Sequence, residues 1–199
     1  MMNAKLLKAI VFIAACACST WASAHLGTEV GTPSTLGFWE GLLHPLTGLD
    51  HLAAMLAVGF WSALTARRLW TAPLAFAAML LVGALLGLAG MDLPAVEPMI
   101  AASLLVLGLL VALRTELPTA LAAALVGVFA LFHGVAHGTE FAGSVQTWAP
   151  LAGMLLTTVM LHMAGLGLGL ALRRRSLWTP RLAGAAVTLL GGVLLLQMV

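Results

Sequence analysis

The chain has no tyrosine, two lysines and two cysteines in 199 residues, and only 8% of it is charged. Each shortage excludes something. A soluble domain carries about 25% charged residues to cover its surface, so 8% charge beside 62% hydrophobic residues rules out an ordinary soluble protein. The mean hydropathy of +1.08 agrees. Lys5 and Lys8 both fall in the first ten residues; without them seven arginines balance seven acids, and no basic patch is left for nucleic acid. Cys16 and Cys18 lie in the N-terminal apolar stretch. A processed chain would have no cysteine, which excludes disulfides and thiolate metal sites. There is no P-loop motif and no soluble segment large enough to bind a nucleotide. His-Glu-x-x-His is absent, and Ser103 and Ser144 lack a Gly-x-Ser-x-Gly-like frame, which argues against an intramembrane protease.

What is abundant is glycine, with 21 residues, and long apolar runs. Glycine is more frequent in membrane helices than in soluble ones. The N-terminus reads as a secretory signal over residues 1–24. Lys5 and Lys8 supply its positive region, Ala9 to Cys18 its short apolar core, and Ala22-Ser23-Ala24 an A-x-A cleavage site. Ile13-Ala14-Ala15-Cys16 loosely resembles a lipoprotein box and ranks below that site. Either cut leaves the mature N-terminus outside the cytoplasm, and His25 becomes its first residue after the A-x-A cut.

Residues 25–199 then read as one all-α, polytopic membrane domain of six transmembrane helices, near 46–66, 71–91, 98–113, 117–138, 148–172 and 178–198. Each has about the length that crosses a ~30 Å hydrocarbon core. Arg67-Arg68 with Pro73, then Asp92 with Pro94, Glu97 and Pro98, then Arg114 to Pro118 mark the first breaks. A polar loop from Gly138 to Thr147 and the Arg173-Arg174-Arg175 run mark the last two. With the N-terminus outside, the inner loops hold six of the seven arginines, and Arg181 starts the last helix from the same side. Six of the seven acids (Glu29, Glu40, Asp50, Asp92, Glu97 and Glu140) fall on the outer side or in the outer half. Signal and charge bias thus give one orientation independently, and an acidic outer face suits the approach of a cation. Gly83-x-x-x-Gly87 and Gly165-x-x-x-Gly169 are expected to let helices approach closely. Trp39, Trp61, Trp70, Trp148 and Trp178 read as interface anchors.

Ionisable groups inside a bilayer cost roughly 2.5–3.5 kcal/mol each on insertion scales, so they usually serve function. Here they cluster. His44, Asp50 and His51 open the first expected span, His133, His137 and Glu140 close the fourth, and His162 lies within the fifth. His51 precedes Arg67 by 16 residues and His133 follows Leu117 by 16. At ~1.5 Å per residue both stand about 24 Å from the inner face, while His162 stands about 16 Å from it. Two motifs far apart in sequence therefore reach one level, with a third histidine beneath.

His133 and His137 share a helix face at i, i+4, and Glu140 joins it if the helix persists. His44 and His51 are i, i+7, but Pro45 is expected to push His44 out of helical geometry and Gly48 to loosen the turn, giving a broken segment that lines a cavity. Imidazoles with carboxylates and no thiolate suit nickel, cobalt or zinc, and the carboxylates can also orient ligating histidines. Met55, one turn after His51, reads as core packing. A haem-bearing electron carrier would also use histidines on membrane helices, but the acids beside them argue against it. A metal sensor that binds without moving the ion stays open.

At these residues the chain resembles the HupE/UreJ family of nickel permeases. The resemblance rests on His-Pro-x-x-Gly-x-Asp-His-x-x-x-Met-x-x-Val-Gly from His44 to Gly59, on His-Gly-x-Ala-His-Gly-x-Glu from His133 to Glu140, and on Leu161-His162 with Gly165. It covers essentially the whole chain. It implies uptake of nickel, or sometimes cobalt, for hydrogenase or urease maturation, and metal roles for His44, Asp50, His51, His137 and Glu140. The expected partners are a divalent metal ion as substrate and the lipid bilayer, with a homo-oligomer left open and no resident cofactor, nucleic acid or nucleotide. The expected location is the bacterial inner membrane, with the mature N-terminus periplasmic.

Overall fold

A computed structural model describes residues 37–144, 147–173 and 178–198. The expected signal segment, its cleavage site and His25 lie outside the described residues. Among those described there are seven helices and no strand: α1 Phe38–Thr47, α2 Leu49–Thr65, α3 Thr71–Leu88, α4 Val96–Leu113, α5 Thr119–Phe141, α6 Trp148–Leu172 and α7 Trp178–Gln197. The chain is a multi-pass, all-helical membrane protein. Helices α3 to α7 are each long and apolar enough to cross a bilayer, whereas α2, at 17 residues, falls just short.

Proline sets the helix starts. Pro73, Pro98, Pro150 and Pro180 each occupy the third residue of a helix, and Pro118 caps α5. The first N–H groups of a helix have no intrahelical acceptor, so the proline nitrogen forfeits nothing there. The expected first span is where the structure differs. Residues 46–66 are not one helix, because Gly48 adopts an extended conformation (φ −89°, ψ 113°) between α1 and α2. Pro45 does not expel His44 from helical geometry; both sit inside α1, and Pro45 packs inward. The Thr47 hydroxyl donates to the His44 carbonyl at 2.8 Å, occupying an acceptor at the frayed end.

Helix α2 is the centre of the bundle and packs against α1, α3, α4, α6 and α7. Its residues Ala54 to Ala63 are buried except Leu56, and Met55 is fully enclosed among them. The closest helix pairs are α3 with α5, α4 with α7 and α2 with α6, while α1 lies along α6. Glycine makes these approaches possible. A Cβ on Gly83 or Gly134 would collide with the Leu131 or Leu80 carbonyl across the α3–α5 seam. Gly59 and Gly165 play the same part between α2 and α6. The two glycine pairs singled out from sequence thus serve packing, as van der Waals contact between backbones replaces a hydrophobic force that lipid does not supply.

One end of the bundle gathers the arginine-bearing connections. The Trp61 indole N–H donates to the Thr115 carbonyl at 2.9 Å, and the Ser62 hydroxyl to the Leu69 carbonyl at 2.6 Å. Arg114 reaches the Arg173 carbonyl at 3.3 Å. A cavity of about 230 Å³ at this end is lined by Arg67, Arg68, Glu116 and Pro118 among others. Trp61 is therefore not an interface anchor: it is buried at 2% exposure and ties α2 to the α4–α5 connection. Trp39, Trp70, Trp148 and Trp178 are exposed, as belt residues are.

Candidate metal centre

Six of the seven candidate residues converge at the end opposite the arginines, with His162 deeper in the bundle, and the seven arrive on four helices. His44 comes from the last turn of α1, Asp50 and His51 from the first turn of α2, His133, His137 and Glu140 from α5, and His162 from the middle of α6. Helix α5 runs unbroken to Phe141, so the i, i+4 and i+7 face holds together and presents both imidazoles and the carboxylate. Close packing on α3 through Gly134 and Gly138, which flank His137 on the chain, presses that face inward. His133 and His137 are consequently buried, at 0% and 1% exposure.

The rings form a continuous path. Ring centroids are 4.9 Å apart for His44 and His137, 4.3 Å for His137 and His51, and 4.7 Å for His51 and His133. His44 and His51 therefore do not align along one helix as i, i+7; the break at Gly48 places them against the same partner, His137. His162 is set apart from the others. Its ring meets Phe76 at 5.1 Å, and Phe76 meets His133 at 5.6 Å, so one phenylalanine of α3 stands between the other histidines and His162.

Oxygen atoms hold the rings. The Asp50 Oδ1 atom accepts from the His51 backbone N–H at 2.8 Å and from its Nδ1–H at 2.9 Å. The Gly48 position leaves room for this: a Cβ there would stand 2.9 Å from Asp50 Oδ1 and 3.3 Å from His51 Nδ1. A carboxylate oxygen can only accept, so the proton sits on Nδ1 and the lone pair of His51 is left on Nε2. Glu140 reaches across the bundle to His44, Oε2 to Nε2 at 2.6 Å, and stands 3.5 Å from His137 Nδ1. The ligand atoms of His44, His137 and Glu140 all lie within 4.8 Å of one another, a spacing that can surround one ion.

The unpaired atoms point the same way. Among the described residues five buried imidazole nitrogens have no hydrogen-bond partner: His51 Nε2, His133 Nδ1, both nitrogens of His137 and His162 Nε2. Leaving a buried polar atom unsatisfied costs roughly 1–3 kcal/mol; each neutral imidazole carries one N–H and one lone pair, so these five atoms on four rings offer up to four lone pairs to a ligand. Two residues of this site escaped the reading of the sequence. Ser103 of α4, considered there only as a nucleophile, lies 3.0 Å from His133 Nε2. Phe76 carried no signal beyond being apolar; Ser103 at least was a lone hydroxyl in an apolar run.

The HupE / UreJ protein family model matches residues 13–194. The chain belongs to the HupE/UreJ family. It is also 42% identical over 193 residues to Protein HupE of Rhizobium leguminosarum bv. viciae, an alignment covering 96% of this chain and 98% of that protein. No solved structure matches the chain.

Proposed function

We propose that this HupE/UreJ protein takes up a divalent transition-metal ion, nickel first and cobalt second, across the bacterial inner membrane. The observation that carries the reading is the cluster of buried imidazole nitrogens without partners, set beside two carboxylates in apolar helices. Imidazole with carboxylate and no thiolate is a borderline donor set, suited to nickel and cobalt. His44, Asp50, His51, His133, His137 and Glu140 replace part of the ion's hydration shell at the outer end. His162 receives the ion beyond Phe76, on the way to the arginine-bearing end. A haem would need room for a porphyrin between axial histidines, whereas these ring centroids stand only 4.3–4.9 Å apart, two pairs edge to face and one tilted. The mature N-terminus is periplasmic and the arginine loops are cytoplasmic in this reading.

No nucleotide is needed to drive uptake. The membrane potential supplies about 2.3 kcal/mol per charge per 100 mV, hence about 4.6 kcal/mol for a divalent ion, or roughly 10³-fold accumulation. The delivered metal would then serve maturation of an enzyme such as hydrogenase or urease; the protein itself makes and breaks no covalent bond.

The test is radioactive nickel uptake into proteoliposomes of the purified protein under an inside-negative potential, with cobalt and zinc as competitors. Saturable uptake that is lost in His51→Ala is the expected result. Tight nickel binding without uptake would replace the transporter by a sensor, and neither binding nor uptake would remove the metal reading altogether.

A further inference from the structure

Two of the clustered histidines lean on carboxylates, but His133 leans on a hydroxyl, and the proton count at that hydroxyl decides the state of the ring. Ser103 lies in α4, fully buried, with its Oγ 2.6 Å from the Ile100 carbonyl oxygen and 3.0 Å from His133 Nε2. A serine hydroxyl has one proton. The carbonyl oxygen has none, so an oxygen pair at 2.6 Å needs the serine proton between them. Back-bonding of a helical serine to the carbonyl one turn earlier is a common local arrangement. The Ser103 proton is thereby committed, and its oxygen can only accept from His133. The proton of the neutral imidazole then sits on Nε2, and the lone pair is on Nδ1. That Nδ1 atom is buried and has no partner among the described residues.

We propose that Ser103 is a positioning residue for metal transfer: through Ile100 it locks His133 in the Nε2–H tautomer and holds Nδ1 ready as a ligand. The inference rests on the reading of the site as a metal centre. Orienting partners of ligating histidines commonly act this way, fixing tautomer and ring angle, and their loss costs roughly 10- to 100-fold in metal affinity. Ser103 differs from Asp50 and Glu140 in doing so without a charge. A third carboxylate at this depth would have to be neutralised or would bind the cation too firmly to release it, whereas a hydroxyl orients the ring and adds nothing to the electrostatic trap. His133 is also the outer histidine whose ring meets Phe76, on the side of His162. A ligand that hands its ion onward is best left with the weakest electrostatic hold.

The experiment is nitrogen NMR on the full-length protein with ¹⁵N-labelled histidine, purified without a histidine tag and free of metal. The His133 signal is assigned by its loss in His133→Gln, and nickel affinity is measured on the same samples by calorimetry. The wild type is expected to show His133 protonated on Nε2. Ser103→Ala is expected to mix or reverse the tautomers and to weaken nickel binding roughly 10- to 100-fold, and Ser103→Thr, which keeps the hydroxyl, to restore both. A wild-type His133 protonated on Nδ1 overturns the proposal, as does a Ser103→Ala protein with unchanged tautomer and affinity. A wild type with the Nε2–H tautomer that binds no nickel overturns the metal reading instead, and with it the purpose assigned to the tautomer.

Discussion

Asp50 offers the sharpest separation between a ligand and a group that orients one. Its Oδ1 atom accepts two bonds from His51, from the backbone N–H at 2.8 Å and from the ring Nδ1–H at 2.9 Å. It also sits in the first turn of α2, where a negative charge faces the unpaired N–H groups of the helix. Removing the side chain in Asp50→Ala deletes both bonds. Each is worth about 1 kcal/mol, and the helix-end charge about 0.3–1 kcal/mol, so the fold should lose about 2–3 kcal/mol. A bundle whose central helix is buried from Ala54 onward tolerates that. The effect on metal should be as large: a freed His51 ring can turn or change tautomer, and affinity should fall roughly 10- to 100-fold. Asp50→Asn keeps an acceptor oxygen at the same place and loses only the charge. If Asp50 orients His51, the asparagine protein should lose only what the missing charge contributes and fall short of the alanine loss. If Asp50 ligates directly, both proteins should fail alike. Nickel calorimetry on detergent-purified wild type, Asp50→Asn and Asp50→Ala, with thermal melting as a control for folding, reads the difference. An Asp50→Ala protein that binds and transports nickel at wild-type levels would refute the reasoning altogether.

Two further outcomes follow from packing. Gly134→Ala places a Cβ against the Leu80 carbonyl between His133 and His137. Overpacking of this kind costs about 1–3 kcal/mol; α5 should shift off α3, with a lowered melting temperature and weaker nickel binding together, whereas unchanged binding would show that the α3–α5 seam does not position the histidines. Phe76→Leu shortens the ring that separates His133 from His162. It should cost about 1–2 kcal/mol of stability and raise the maximal rate of proteoliposome uptake with little change in half-saturation; an unaltered rate would mean that Phe76 is core packing alone.

The helices were legible in the sequence because a membrane span is announced by length, apolarity and the residues that end it. Residues 148–172 were read to the residue, and α3, α4, α5 and α7 to within three residues at either end. The α5 half of the site was legible for the same reason: once a helix is granted, i, i+4 and i+7 must share a face. The opening of the chain was harder. Pro45 looked like a helix boundary, but a proline eight residues into a helix disturbs only the bond to, and the space beside, the carbonyl four residues earlier, and α1 continues past it with Pro45 buried and Gly41 packed closely on Pro150 of α6. Gly48, the actual break, gave the weaker signal. Partner choice was beyond local reasoning. That Glu140 pairs with His44, 96 positions away, or that Ser103 pairs with His133, depends on which helices lie side by side. Sequence period says which way a residue faces on its own helix but not which helix it faces. Trp61 failed for this reason too: amphipathic aromatics suit an interface, but this one faces the neighbouring connection rather than lipid.

If the cluster of His44, Asp50, His51, His133, His137 and Glu140 takes a metal ion as proposed, its charge balance accounts for the two carboxylates. Metal binding requires neutral imidazoles and ionised carboxylates. In that state Asp50 and Glu140 together carry two negative charges, and the histidines around them carry none. A divalent cation therefore turns the cluster from doubly negative to neutral, so the loaded site is the form best suited to apolar surroundings, and the unloaded site is held by its hydrogen bonds to His51 and His44. A monovalent ion would leave one charge uncompensated and a trivalent ion would overshoot by one. Under the proposed function, selection by valence would come from the count of carboxylates, and selection among divalent ions from the imidazole donors. His162 extends this logic inward. It is buried at 2% exposure and, among the described residues, has no carboxylate bonded to it, its ring neighbour being Phe76. On the proposed path an ion passing from that cluster to His162 would leave both compensating charges behind, so occupancy there would be brief and the step would have to be driven. With the membrane potential as the driving force, the transfer past Phe76 is the step expected to limit the rate.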